Sequence, residues 1–271
     1  SSSSSCLSGQ EEDALARLLL AFEDRLSRGF DRELQDAVLR SGVFPAVAAV
    51  LASPSAPARL RERCAAAVEA MVRFNRDVFV GHVLMGGGGG GDGSSSSSVL
   101  SSLATMGTPA SMRVLQSLVA AIKIALVDEI HADGHIPRLV GFLSSPDVDM
   151  EVAALELLLR VAYYARKEAV DAMMGANVVK RLVALQRHPD LGGSLIEMDD
   201  AGDDDPAGGG VGRPFASCVA RLAIQMEVGE GLRRREKAAA KLEILERVRE
   251  AAASEAEAAT IVAEVLWGAS P

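Results

Sequence analysis

Asp128, His131, Asp133 and His135 fall within the eight-residue run DEIHADGH. Two histidines four apart share a face of an α-helix and can chelate a transition metal. Gly134 stands between them where one helix is expected to end, so the imidazoles should diverge. The run therefore reads as an exposed inter-helix turn, and no metal is assigned to it. His82 and His188 have no ligating partner close in sequence. Nucleophilic chemistry has equally little support. Cys64 and Cys218 would need a nearby base and a lowered pKa, but Cys64 occupies a small-residue position in CAAAVEAM (64–71), and both cysteines read as packing residues. The string GGSLI (192–196) lacks the last glycine of a nucleophile elbow, and the six-glycine run from Gly86 has no lysine or hydroxyl placed to reach phosphate. No catalytic residue, no cofactor and no small-molecule substrate are expected.

Two charged clusters remain. Counting an EF-hand from Asp199 puts Asp204 where its glycine belongs and Gly210 where its glutamate belongs, so the acidic run reads as a linker. Arg233, Arg234, Arg235, Lys237 and Lys241 form a basic cluster interleaved with Glu236 and Glu243. It reads first as a charged helix face. It is also a candidate docking patch for an acidic segment, including the chain's own residues 197–205, and a candidate import signal.

The elements that must carry these residues are helices. The chain has 271 residues and a net charge of −9, with 49% hydrophobic and 4% aromatic residues. That length allows a sizeable core. The acidic balance weighs against nucleic acid, whose binding needs lysines and arginines on phosphates. Six of the negatives lie in residues 197–205, so the remainder carries only −3 of the −9. No uncharged apolar run approaches the ~20 residues that span a bilayer. Three scattered cysteines make no disulfide framework and suit a reducing compartment, cytoplasmic or nuclear. The chain starts at Ser1 rather than Met, which leaves open a trimmed or partial protein.

Residues 1–9, GGGGGGDGSSSSS (86–98) and EMDDAGDDDPAGGGVG (197–212) hold too few apolar side chains to join a core and are expected to be disordered. Elsewhere the apolar period is helical. Val148, Val152, Leu155, Leu159 and Ala162 make one stripe, and Ala238, Leu242, Leu245, Val248 and Ala252 another, with Glu243 placed to pair with Arg247. Ser254 and Glu257 are spaced as a capping box, and Gly268 should end the last helix. No stretch alternates with the period of a strand. The fold is expected to be all-α.

A repeat runs through the helices. SGVFPAVAAVLASP (41–54), GHIPRLVGFLSSP (134–146) and GANVVKRLVAL (175–185) share a glycine that stops one short helix and an apolar second helix that follows. In the first two, Pro45 and Pro137 stand near the second helix's start, where a missing N–H is harmless. Longer third helices are expected at 58–74, 110–127, 148–165 and 215–228, with VLSSLATM (99–106) as the middle helix of the second repeat. Gly134 and Gly175 are 41 residues apart and Gly42 and Gly86 are 44 apart. These segments, in the form GxIPxLVxLL followed by an Ala-rich long helix, resemble the armadillo repeat over roughly residues 30–228. PFASCVARLAIQMEVGEGLRRREK (214–237) and AATIVAEVLWGASP (258–271) are similar to the C-terminal part of plant armadillo-repeat proteins.

The resemblance implies an armadillo/HEAT-like right-handed α-solenoid of about four degenerate repeats over residues 10–267. Residues 10–28 and the two helices of 232–267 would cap its ends, and 268–271 would form a tail. It further implies a non-enzymatic scaffold or adaptor that binds other proteins through a peptide segment or helix. Alternatives are the substrate-binding part of a U-box-type ubiquitin ligase whose U-box lies outside these residues, and a self-associating structural protein. In import receptors of the family a Trp/Asn ladder lines the concave face. Here the matching positions hold Glu156 and Arg160 in one third helix, and Ala66 and Ala70 in another. The ladder is missing. Glu156 and Arg160, with Glu69 and Arg73 one repeat earlier, are the candidate partner groove, and their bland alternative is i,i+4 pairing with each other on a solvated face.

Overall fold

The computed structural model describes residues 9–85, 98–187 and 214–267. The expected disordered tracts at 86–98 and 197–212, the segment 1–9 and the expected helix stop at Gly268 lie outside these residues, except that Gly9 and Ser98 each begin a helix. All regular structure among the described residues is helical. The chain divides into two compact units, residues 1–133 and 134–271.

The first unit holds α1 (Gly9–Ser27), α2 (Arg32–Ser41), α3 (Val43–Ala52), α4 (Ala58–Phe74), α5 (Arg76–Met85), α6 (Ser98–Met106), α7 (Pro109–Ile122) and α8 (Ile124–Ala132). Gly42 turns the chain between α2 and α3 at φ 67°, a conformation a β-carbon disfavours. The two helices meet at 55°. Asp31 caps α2, accepting from the N–H groups of Glu33 (2.9 Å) and Leu34 (3.1 Å). Thr108 and Ser111 exchange side-chain bonds with each other's N–H at 3.1 and 3.2 Å, starting α7 with a capping box. Two three-helix repeats result, α2–α4 and α5–α7, in which α3 packs on α4, α6 on α7, and α4 on α7. Leu51, Val68, Met71, Phe79, Leu103 and Leu115 are fully buried between them.

The third helix expected at 110–127 is shorter. It stops at Ile122 because Lys123 adopts φ 66°, which breaks the hydrogen-bond ladder and starts α8 in a new direction. The apolar pattern resumes directly after Lys123, so a single lysine does not by itself mark the end of a helix.

The second unit holds α9 (Ile136–Gly141) with a 3₁₀ turn (Phe142–Ser144), α10 (Val148–Tyr164), α11 (Lys167–Gly175), α12 (Val178–Gln186), α13 (Cys218–Val228), α14 (Arg234–Ala251) and α15 (Glu255–Trp267). Here α10 packs on α13, α12 on α13 and α14, and α13 on α15. Gly175 is the last residue of α11, as expected of a glycine that stops the helix, and Asn177 takes the left-handed conformation in the turn that follows (φ 62°). Asparagine tolerates that region better than most residues. In α14 the stripe is rotated from the one expected. Ala240, Ile244, Leu245 and Val248 are buried, whereas Leu242 is 63% exposed. Ser254 accepts from Glu257 N at 3.1 Å, but the Glu257 carboxylate reaches back to Ala253 N rather than to Ser254 N. No helix among the described residues is by itself long and apolar enough to cross a membrane.

Candidate partner groove

In the first unit α1 and α4 run parallel, in register with an offset of 46 residues. Arg59 pairs with Asp13 at 2.7 Å near their starts. Nearer their ends the two helices open into a groove of about 660 Å³. Four lining positions on each helix correspond at that offset. Leu20, Glu23, Asp24 and Ser27 come from α1, and Ala66, Glu69, Ala70 and Arg73 from α4. Both helices thus present the same face. Phe30 and Phe74 close one end as a stacked pair, ring centres 5.7 Å apart.

The two alanines named by the resemblance, Ala66 and Ala70, leave this groove without a side-chain ladder on the α4 side. Glu69 pairs with Arg73 at 2.5 Å along α4, and Arg73 also donates to Ser117 of α7 at 3.2 Å. Asp24 pairs with Arg28 at 2.6 Å. Glu23 differs. Its Oε1 is buried and accepts no hydrogen bond from the described residues. Burial raises its pKa above the ordinary value; Arg63 opposes this, and the Glu69 carboxylate adds to it. An amphipathic groove with one desolvated carboxylate suits a ligand that brings both an apolar group and a cation.

In the second unit Glu156 does not pair with Arg160. Its carboxylate accepts from Arg221 of α13, whose other nitrogen donates to the Pro214 carbonyl at 2.8 Å. Arg160 is exposed. An interhelical bridge therefore ties α10 to α13 at that position.

The basic cluster is divided by the fold. Lys237 donates to the Gly229 carbonyl at 2.8 Å and Lys241 pairs with Glu227 at 3.1 Å, holding the start of α14 to the end of α13. Arg233, Arg234 and Arg235 are exposed, with Arg233 N bonded to the Glu236 carboxylate at 2.7 Å. Burial pushes the Cys64 thiol up to about 11 and that of Cys218 up to about 12, so both are poor nucleophiles. Among the described residues no three His, Cys, Asp or Glu side chains converge as a metal site would require.

Glu23, Leu20, Phe30 and Phe74 were not singled out from sequence. The signal lay in the 46-residue offset, which sets Leu20 and Glu23 opposite Ala66 and Glu69 once residues 9–27 are read as a third helix rather than only as a cap. Gly229 and Gly231 were also passed over, and their role depends on the tertiary fold.

No family model matches the sequence, and no curated protein matches it. Solved structures do match in fold. An engineered protein from a structural genomics consortium superposes with a TM-score of 0.59 at 15% identity, covering 96% of this chain and 94% of the other. A designed armadillo repeat protein in complex with the peptide (KR)4 gives 0.57 at 13% identity, covering 98% and 95%. A computationally designed armadillo repeat protein for modular peptide recognition gives 0.56 at 14%, covering 96% and 94%. The fold is that of an all-α armadillo-like repeat solenoid.

Proposed function

We propose that the protein is a non-enzymatic interaction scaffold that holds a peptide segment of a partner in the groove between α1 and α4. The observation that carries this reading is the half-buried Glu23, whose Oε1 accepts no hydrogen bond from the described residues, beside apolar Leu20, Ala66 and Phe74. A buried acceptor without a donor is unfavourable, and a ligand cation supplies the donor. The occupant is therefore a segment that alternates basic and apolar side chains. The armadillo proteins of similar fold support the reading, since one is a complex with (KR)4 and another was designed for modular peptide recognition.

The test is fluorescence anisotropy with a labelled peptide of alternating leucine and arginine. Saturable binding should vanish in Ala70→Arg, which fills the groove floor from a half-buried position on α4. Binding that persists in Ala70→Arg sinks the reading.

A further inference from the structure

Charge pairing inside the groove between α1 and α4 limits what the groove can hold. At the 46-residue offset Glu23 stands opposite Glu69, Leu20 opposite Ala66 one turn before, and Ser27 opposite Arg73 one turn after. The acidic level therefore has apolar side chains on one side and a cation on the other. Two of the groove's three carboxylates are already matched. Asp24 bonds Arg28 at 2.6 Å in solvent, and Glu69 bonds Arg73 at 2.5 Å with its own side chain only 18% exposed. Of the three, Glu23 alone keeps a buried oxygen, Oε1, that accepts no hydrogen bond from the described residues. Arg63 acts on Glu23 from outside the groove without bonding that oxygen.

A ligand cation thus gains a charge-assisted hydrogen bond at one place, Glu23 Oε1. One turn toward Leu20 it would lose hydration against apolar side chains with no acceptor in return. One turn the other way it meets the guanidinium of Arg73, and like charge counts against it. Arg73 is held there, tied to Glu69 and also donating to Ser117 of α7 at 3.2 Å. The rest of the contact has to be apolar. Phe30 supplies it: one face of its ring stacks on Phe74, and the residue is 64% exposed, so the other face is open to a leucine or an aromatic side chain.

We propose that the groove seats one cationic side chain, at Glu23, and that Arg73 is the specificity residue that refuses a second. This rests on the peptide-groove reading above and narrows it to a partner segment with a single arginine or lysine among apolar residues. Of the arginines in an alternating peptide, one enters the groove and the others stay in water.

The experiment compares two acetylated and amidated peptides on the full chain by fluorescence anisotropy, in about 0.15 M salt to screen the chain's net charge. One carries a single arginine among leucines and serines. The other replaces a serine two positions away with a second arginine, which an extended segment presents on the same side. The parent should bind the two within about twofold of each other, because a cation left in water adds little. Arg73→Gln removes the like charge and frees Glu69 as a second acceptor. It should bind the two-arginine peptide about tenfold more tightly than the other, the gain expected of one charge-assisted hydrogen bond. Arg73 is exposed, and unchanged helical circular dichroism checks that the variant folds. A parent that prefers the two-arginine peptide as strongly as the variant does overturns the count. Equal binding of both peptides by Arg73→Gln overturns the role of Arg73. Binding of neither peptide by the parent removes the groove reading itself, and this proposal with it.

Discussion

Gly231 lies against the carbonyl of Ala165, so close that a β-carbon at residue 231 would sit 2.1 Å from that oxygen. Gly229 stands in the same relation to Tyr163, at 2.2 Å. Between them Glu230 N donates to the Tyr163 carbonyl at 2.8 Å. The GEG turn after α13 thus packs backbone on backbone against the end of α10. Gly231→Ala should destabilise the second unit by about 1–3 kcal/mol or more, because backbone cannot yield as a side chain does. Gly141→Ala is the control. It ends α9 at φ −56° with open space at its Cβ, and should be neutral or stabilise by roughly 0.5–1 kcal/mol. Urea unfolding of both variants measures the contrast.

Lys123 holds φ 66° and ψ −136°, a region that favours glycine. Lys123→Gly should therefore raise stability, by up to about 1 kcal/mol against the loss of unfolded-state rigidity. Thermal melts would show it, and a clear loss would mean that the lysine side chain secures the turn.

Arg187 closes α12 onto the turn before α15. It bonds both oxygens of Glu257, at 2.7 and 2.9 Å, and the Ala251 carbonyl at 2.8 Å. The Arg187 guanidinium holds the Glu257 carboxyl below its ordinary value of 4.5. A depressed carboxylate stabilises the fold above its unfolded pKa, and that contribution fades as pH falls through the folded one. Glu257→Gln should then be less stable than the parent at pH 7 by about 1 kcal/mol or less, the difference closing in acid. A gap that does not change with pH would contradict the pairing.

Glu23 has the reverse sign. Its carboxyl is raised, chiefly by burial, so the folded state favours the protonated form and stability drops as pH climbs through its folded pKa. Parent and Glu23→Gln should match at low pH and diverge above it, with the glutamine variant the more stable. The same substitution should weaken the leucine–arginine peptide by about tenfold, since a desolvated charge pair is lost. Stability gained together with affinity lost is the signature of a carboxylate kept for a ligand. Equal affinity would remove Glu23 from the site.

Much of the fold was legible in the chain because it is written locally. Third helices expected at 58–74 and 148–165 formed at 58–74 and 148–164, and the remnant expected at 99–106 formed at 98–106. Glycine at 42 and 134 and proline at 45 and 137 act within one turn of themselves, so their meaning needs no distant partner. The misplaced stripe of α14 has a tertiary cause. In α14 an apolar residue appears every third or fourth position on more than one face, and only α12, α13 and α15 determine which of Leu242 and Ile244 is buried.

The candidate site shows where that legibility ends. Sequence alone determined that the chain is a stack of three-helix repeats without the Trp/Asn ladder, and that Glu69 and Arg73 share a helix face. Tertiary structure decided what those charges meet: Arg73 reaches Ser117, and Glu156 takes Arg221 in place of Arg160. It also decided that Glu23 is half-buried against α4 while Leu18, five residues earlier, faces water. Helix period fixes which residues share a face at 100° per residue, but the desolvation of a face depends on helices 40 to 65 residues away in sequence, and no local pattern encodes that distance.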